Sequence, residues 1–148
     1  MVVNGRYVSI GGIYRPFVIA SVLSPSGMWI DVPFLVDSGA DATFLDHSCI
    51  NYLGIDISSL SVKDDAGGVA GPLSYYEFPT QLRLEGEARE AKTFSGNVGI
   101  LIAPGVSDTP ILGRDVLDCF AAIFDRRKGQ ILLIAEPDSY QAVTAILA

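Results

Sequence analysis

The chain is poor in the side chains that most often carry metal or nucleophilic chemistry. It has one histidine, His47, and two cysteines, Cys49 and Cys119, in 148 residues. Two cysteines form neither a disulfide framework nor a zinc-ligand spacing, and one histidine does not complete a site with them. His47 and Cys49 are two apart on an expected helix, where such side chains diverge, so no Cys–His nucleophile pair is expected. Basic residues are also few: ten Lys and Arg against seventeen Asp and Glu, a net charge of −7. They are scattered apart from Arg126-Arg127-Lys128, which argues against nucleic acid as a partner. No apolar run reaches the roughly 18 to 20 residues of a membrane helix. The longest uncharged stretches, 16–30 and 93–107, are interrupted by Pro, Ser and Gly. Met1-Val2-Val3-Asn4-Gly5-Arg6 lacks the basic start and apolar core of an export signal. These absences predict a soluble, cytoplasmic chain with no membrane partner, no metal and no cofactor.

What the chain has is apolar, β-branched sequence cut by glycine and proline. The hydrophobic fraction is 49%, and the mean hydropathy is +0.38. A length of 148 residues predicts one domain, 1–148, able to bury about two thirds of its unfolded surface. The apolar excess suits either a large core or surface buried between subunits.

The period along the chain is that of strands. Arg15–Leu23 alternates, Ser24-Pro25-Ser26-Gly27 turns, and Met28–Val36 returns, a hairpin that delivers the chain to Asp37. Asp46 is placed to cap a short helix from His47 to about Leu53, ended by Gly54. Strands are expected at 60–64 and 73–78 around a tip at 64–72 that has three glycines in five residues. A further hairpin is expected between Thr80–Leu84 and Ala88–Thr93, then a buried strand at Val98–Ala103 and a short one at Pro110–Gly113. A second helix follows from Arg114 to about Cys119. Ala121–Asp125 and Gln130–Ala135 should pair across Arg126–Gly129. The tail from Pro137 suits a short helix or a strand. Trp29 reads as core, and one of Tyr75 and Tyr76 should face a cleft.

The most informative stretch is Phe34-Leu35-Val36-Asp37-Ser38-Gly39-Ala40-Asp41. Three apolar residues lead into a carboxylate and a glycine turn, and apolar sequence resumes at Thr43-Phe44-Leu45. A strand ending this way sets the carboxylate at the floor of a cleft, partly desolvated, where it serves as a base. The motif occurs once.

Leu35–Leu45, read as two apolar residues, Asp-Ser-Gly-Ala-Asp and a return to apolar sequence, resembles the catalytic motif of the retroviral-type (retropepsin-like) aspartic proteases, half-sized relatives of pepsin. Ile111-Leu112-Gly113-Arg114-Asp115-Val116-Leu117 resembles their second signature, and a glycine-rich hairpin lies between the two. The resemblance spans about residues 15–135. It implies an all-β, closed barrel-like acid-protease fold with a glycine-rich flap hairpin and one or two short helices. It implies an aspartic endopeptidase working as a homodimer on a peptide or protein substrate. Asp37, Ser38 and Gly39 then match the catalytic triplet: one Asp37 per subunit shares a proton across the twofold axis, Ser38 braces the two loops, and Gly39 lets the backbone approach substrate. Ala40, Asp41, Gly67, Gly68 and Val69 match substrate-binding positions, and Asp41 with Arg114 matches an ion pair within each subunit. Asp115 reads as a helix-start carboxylate favoured by the helix dipole. The strand-turn-strand ending resembles the cellular members of the family, and could build the dimer sheet from within one subunit. The flap sequence departs from the viral pattern, so a catalytically silent peptide-binding or scaffolding domain on the same fold stays open as an alternative.

Overall fold

Val18, Ala20 and Val22, and Val32, Phe34 and Val36, alternate residues of two successive strands, are all buried. That alternation puts one face of the hairpin they form on the core. The computed structural model describes residues 1–68, 71–105 and 107–141. In chain order the strands are β1 (Val2–Ile10), β2 (Ile13–Leu23), β3 (Trp29–Val36) and β4 (Phe44–Leu45). Helix α1 (Cys49–Leu53) and a 3₁₀ turn (Ile57–Ser59) precede β5 (Ser61–Gly68), β6 (Gly71–Glu85), β7 (Ala91–Leu101) and β8 (Ile111–Leu112). Helix α2 (Arg114–Leu117), β9 (Ala121–Asp125) and β10 (Gln130–Ile134) complete the order.

The strands form a sheet in the order β5-β6-β7-β4-β8-β3-β2-β1-β10-β9. An additional pairing of β6 with β2, at Ser21↔Arg83 and Val22↔Leu82, brings the sheet back on itself. Six strands therefore make a ring, with β5 as one arm and β1, β10 and β9 as the other. The ring is not a clean barrel, because β4 and β8 contribute two residues each. The fold is all-β with two short helices. The core gathers residues from Met1 to Ala135, with Phe34, Leu45, Ile100, Leu112, Ile131 and Leu133 wholly excluded from solvent.

Several elements differ from the sequence expectation. The N-terminal segment, where the sequence pattern predicts no strand, is β1, paired to both β2 and β10. The stretches 73–78 and 80–84 are one strand, β6, running through Pro79. The edge there changes partner: β5 accompanies β6 to Glu77, and β2 takes over at Leu82. A residue without an N–H in that gap costs no ladder bond on that side. Likewise Ala88–Thr93 and Val98–Ala103 merge into β7, which pairs with β6 from Tyr75↔Leu101 to Glu85↔Ala91. The glycine-rich tip is shorter than expected, because β5 and β6 stay paired out to Gly68↔Gly71. Val69, expected to touch substrate, and the end of the tail at 142–148 lie outside the described residues.

Helix α1 starts at Cys49 behind Ser48, not at His47 behind Asp46, and Ser48 makes no side-chain cap bond. Asp46, two residues before the N-cap, instead accepts from the Ser48 N–H at 3.0 Å and from Cys49 Sγ at 3.1 Å. Gly54 closes the helix at φ 67°, a left-handed position suited to glycine. Helix α2 ends at Leu117, not Cys119. Trp29 is half-buried, and its ring carries the Arg83 guanidinium 4.5 Å from the centroid. It is a stacked surface residue, not core. Among the described residues, no helix is long and apolar enough to cross a membrane.

Candidate active site

Strand β3 runs between β2 and β8, pairing Phe17↔Leu35 on one side and, in parallel, Leu35↔Ile111 and Val36↔Leu112 on the other. Its inward side chains, Phe34 and Val36, anchor it in the core. The chain leaves that anchored strand at Asp37, whose N–H donates to Leu112 O at 3.1 Å. A tight turn follows: the Gly39 N–H donates to Asp37 Oδ1 at 2.9 Å, and the Ala40 N–H to Asp37 O at 3.2 Å. A Cβ on Gly39 would lie 3.1 Å from Asp37 Oδ1, a tight contact that a side chain there would relieve only by shifting the carboxylate a few tenths of an ångström. Asp37 is half-buried, whereas Ser38, Gly39 and Asp41 are exposed. One chain therefore presents this carboxylate on an open loop.

The loop is held from behind by the start of α2. Ala40 O accepts the Arg114 N–H at 2.9 Å, and Asp41 O accepts the Asp115 N–H at 3.2 Å. Thr43, 1% exposed, ties the two segments with its side chain. Its hydroxyl donates to Asp115 Oδ1 at 2.6 Å and accepts the Gly113 N–H at 3.0 Å. Its own N–H donates to Asp115 Oδ2 at 3.0 Å. Asp115 thus does more than complement the helix dipole: both its oxygens are engaged by Thr43. Arg114 Nη2 also pairs with Asp41 Oδ1. That pair is largely solvent-exposed, at 51% and 83%, so it contributes at most about 1 kcal/mol. The buried Thr43 network and the backbone bonds dominate.

Thr43, Gly113 and Asp115 are the residues sequence reasoning undervalued. The one signal for them is a threonine placed where the chain returns to apolar sequence. Replacing Thr43 with valine keeps the shape and removes the hydroxyl. The Gly113 N–H and one Asp115 oxygen then lose their partner, and a loss of about 2–3 kcal/mol is expected. The urea midpoint of Thr43→Val checks this; an unchanged midpoint would show the network is not structural.

The β5–β6 hairpin is the other expected part of the site. Gly67 and Gly68 pair with Pro72 and Gly71 near its end. At its base, Tyr75 contacts Phe44 edge to face, with ring centroids 5.2 Å apart. A groove of about 470 Å³ lies on the outward side of β1–β3, lined by Arg6, Val8, Phe17, Ile19, Pro33 and Thr109. Asp37 is not among its walls. It flanks the strand that carries Asp37 rather than enclosing the carboxylate.

Cys49 is buried, and burial followed by the neighbouring Asp46 pushes its thiol up to about 12. It is inert as a nucleophile. His47 Nδ1 lies 3.3 Å from Leu101 O.

A strand-end carboxylate in an Asp-Ser-Gly turn, backed by a second loop from a Gly-Arg-Asp helix start, in a ring of short strands, defines the acid-protease class. A family model of aspartyl proteases matches residues 26–116, and the chain belongs to that family. Comparison with curated protein sequences gives no match. Among solved structures, a retropepsin-like aspartic protease from Rickettsia conorii is similar at 18% identity, with a TM-score of 0.58 over 90% of this chain and 91% of that one. The EIAV protease complexed with the inhibitor HBY-793 is similar at 22% identity, with a TM-score of 0.50 over 75% of this chain and 92% of that one. The fold is the retropepsin fold.

Proposed function

We propose that the chain is a single-domain aspartic endopeptidase that works as a homodimer, with one Asp37 from each subunit at the twofold axis. The observation that carries this reading is the position of Asp37: an anchored strand delivers one carboxylate to an open loop, and the motif occurs once per chain. Two such carboxyls in contact do not both ionise, so they hold one proton between them. The ionised Asp37 takes a proton from a water, and that water's oxygen attacks the scissile carbonyl carbon. The protonated Asp37 gives its proton to the carbonyl oxygen. Collapse of the gem-diol intermediate then breaks the C–N bond: the Asp37 that took the water's proton gives it to the leaving amine, and a gem-diol hydroxyl returns its proton to the other Asp37. The reaction needs no metal, cofactor or covalent intermediate.

Ser38 braces the two loops across the axis, and Gly39 leaves room for the peptide. Ala40 and Asp41 on the loop, with Gly67 and Gly68 on the flap hairpin, contact an extended peptide backbone. Arg114 holds Asp41 in place. Wild type and Asp37→Asn incubated with a diverse peptide library from about pH 4 to 7, read by mass spectrometry, test the reading. Cleavage by wild type alone supports it. Peptide binding without cleavage by either would favour the scaffolding alternative. The dimer is checked by light scattering, with an expected mass of about twice 15.8 kDa; a monomer at every concentration would overturn the twofold site.

A further inference from the structure

The base of the β5–β6 hairpin contains an irregularity that the peptidase reading does not use. The pairing runs Lys63↔Tyr75 and then Ala66↔Leu73, so Asp64 and Asp65 together oppose Ser74. This is a β-bulge, the device that bends a strand and re-aims the residues beyond it. Two side-chain hydrogen bonds fasten it. Ser74 Oγ donates to Asp64 Oδ1 at 2.7 Å, and Tyr75 Oη donates to Asp65 Oδ1 at 2.7 Å. Tyr75 also reaches the other way. Its ring packs edge to face on Phe44, in the two-residue strand that begins where the Asp37 loop ends. Gly99, paired with Phe44, makes the space: a Cβ there would lie 2.3 Å from the Phe44 ring and 3.1 Å from the Tyr75 ring. One side chain therefore spans from the bulge to the strand next to the catalytic loop.

We infer that Tyr75 is a positioning residue, which sets the pose of the β5–β6 hairpin relative to the Asp37 loop through its hydroxyl on Asp65 and its ring on Phe44. The chemistry fits a fixed clamp. A phenol is protonated throughout the neutral range, and donating to a carboxylate makes one of the stronger neutral-donor bonds; that bond pushes the Tyr75 hydroxyl further up, to about 12. The kinetic consequence rests on the peptidase reading: a hairpin held at the wrong angle weakens contacts with bound peptide more than it alters the carboxyl pair.

The test uses full-length Tyr75→Phe, Asp65→Ala, their double variant and Asp65→Asn. Tyr75→Phe keeps the ring and removes the hydroxyl; Asp65→Asn keeps an acceptor oxygen. For the best-cleaved library peptide, KM is expected to rise roughly fivefold in Tyr75→Phe and in Asp65→Ala, the worth of one hydrogen bond. The double variant should be no worse than either, kcat should hold, and Asp65→Asn should stay near wild type. Amide hydrogen exchange in residues 61–65 and 74–77 should accelerate in Tyr75→Phe with no change in the urea midpoint. Unchanged exchange, or multiplicative effects in the double variant, overturns the clamp. A wild type that cleaves nothing sinks the peptidase reading instead, and exchange alone then decides the clamp.

Discussion

Asparagine at position 37 is expected to lower peptide cleavage by roughly a thousandfold or more while leaving the proposed dimer and the melting behaviour in place. The amide is isosteric with the carboxyl. Its oxygen can still accept the Gly39 N–H that Asp37 Oδ1 accepts at 2.9 Å, so the turn survives. What it cannot do is take a proton from water. In a twofold site the substitution acts twice, once as lost base and once as lost acid, so no intact carboxyl remains. Steady-state cleavage of a library peptide measures the loss, and circular dichroism with light scattering controls for fold and assembly. Activity within tenfold of wild type would remove Asp37 from the chemistry.

Gly113→Ala is expected to be the most damaging small change elsewhere in the site. A Cβ at Gly113 would lie 2.4 Å from both Ala42 C and Ala42 O, with Ala42 N at 2.9 Å. These are backbone atoms of a segment fixed on both sides. Ala40 O and Asp41 O accept from the start of α2, and Thr43 is locked to Asp115. The clash cannot be relieved by turning a rotamer; one loop must move off the other. A loss of about 3 kcal/mol or more is expected, with cleavage falling as the Asp37 loop shifts. Gly96→Ala is the control, since a Cβ there meets nothing within 4 Å and its change should stay within about 0.5 kcal/mol. Both are read from urea unfolding. Equal midpoints for the two variants would refute the close-approach argument. The backbone of Gly113 is itself unstrained, at φ −92°, so the penalty is one of space alone.

The parts of the molecule that were legible in the sequence are those set by local pattern. The β2–β3 hairpin follows from two alternating runs around Ser24–Gly27. The β9–β10 hairpin follows from two apolar runs around Arg126–Gly129. Gly54 marks the end of α1 because only a left-handed residue closes it there. Non-local pairing was harder. Strand β1 depends on β10, more than 120 residues later, and nothing in Val2–Ile10 alone announces that partner. Pro79 and the glycines near 67–71 read as breaks, yet the strands run through or up to them. Pro79 sits where an edge changes partner, and Gly67 and Gly68 pair with Pro72 and Gly71 although glycine is a weak strand former. The site divides the same way. The Asp-Ser-Gly turn and the Gly-Arg-Asp helix start are visible as words in the sequence. The bond from Thr43 to Asp115 spans 72 residues and depends on how the two loops cross. The Tyr75 clamp depends on a bulge that no periodicity predicts.

Two copies of the chain are proposed to make one active site. Titrating Asp37→Asn into a fixed amount of wild type, allowing exchange, and measuring cleavage per wild-type chain tests this. If each site needs an Asp37 from both subunits, mixed dimers are dead. Activity per wild-type chain then falls to about half at an equal mixture and towards zero as the variant exceeds it. Activity per wild-type chain that stays flat across the titration would rule out a shared site, because each chain would then carry a complete site of its own.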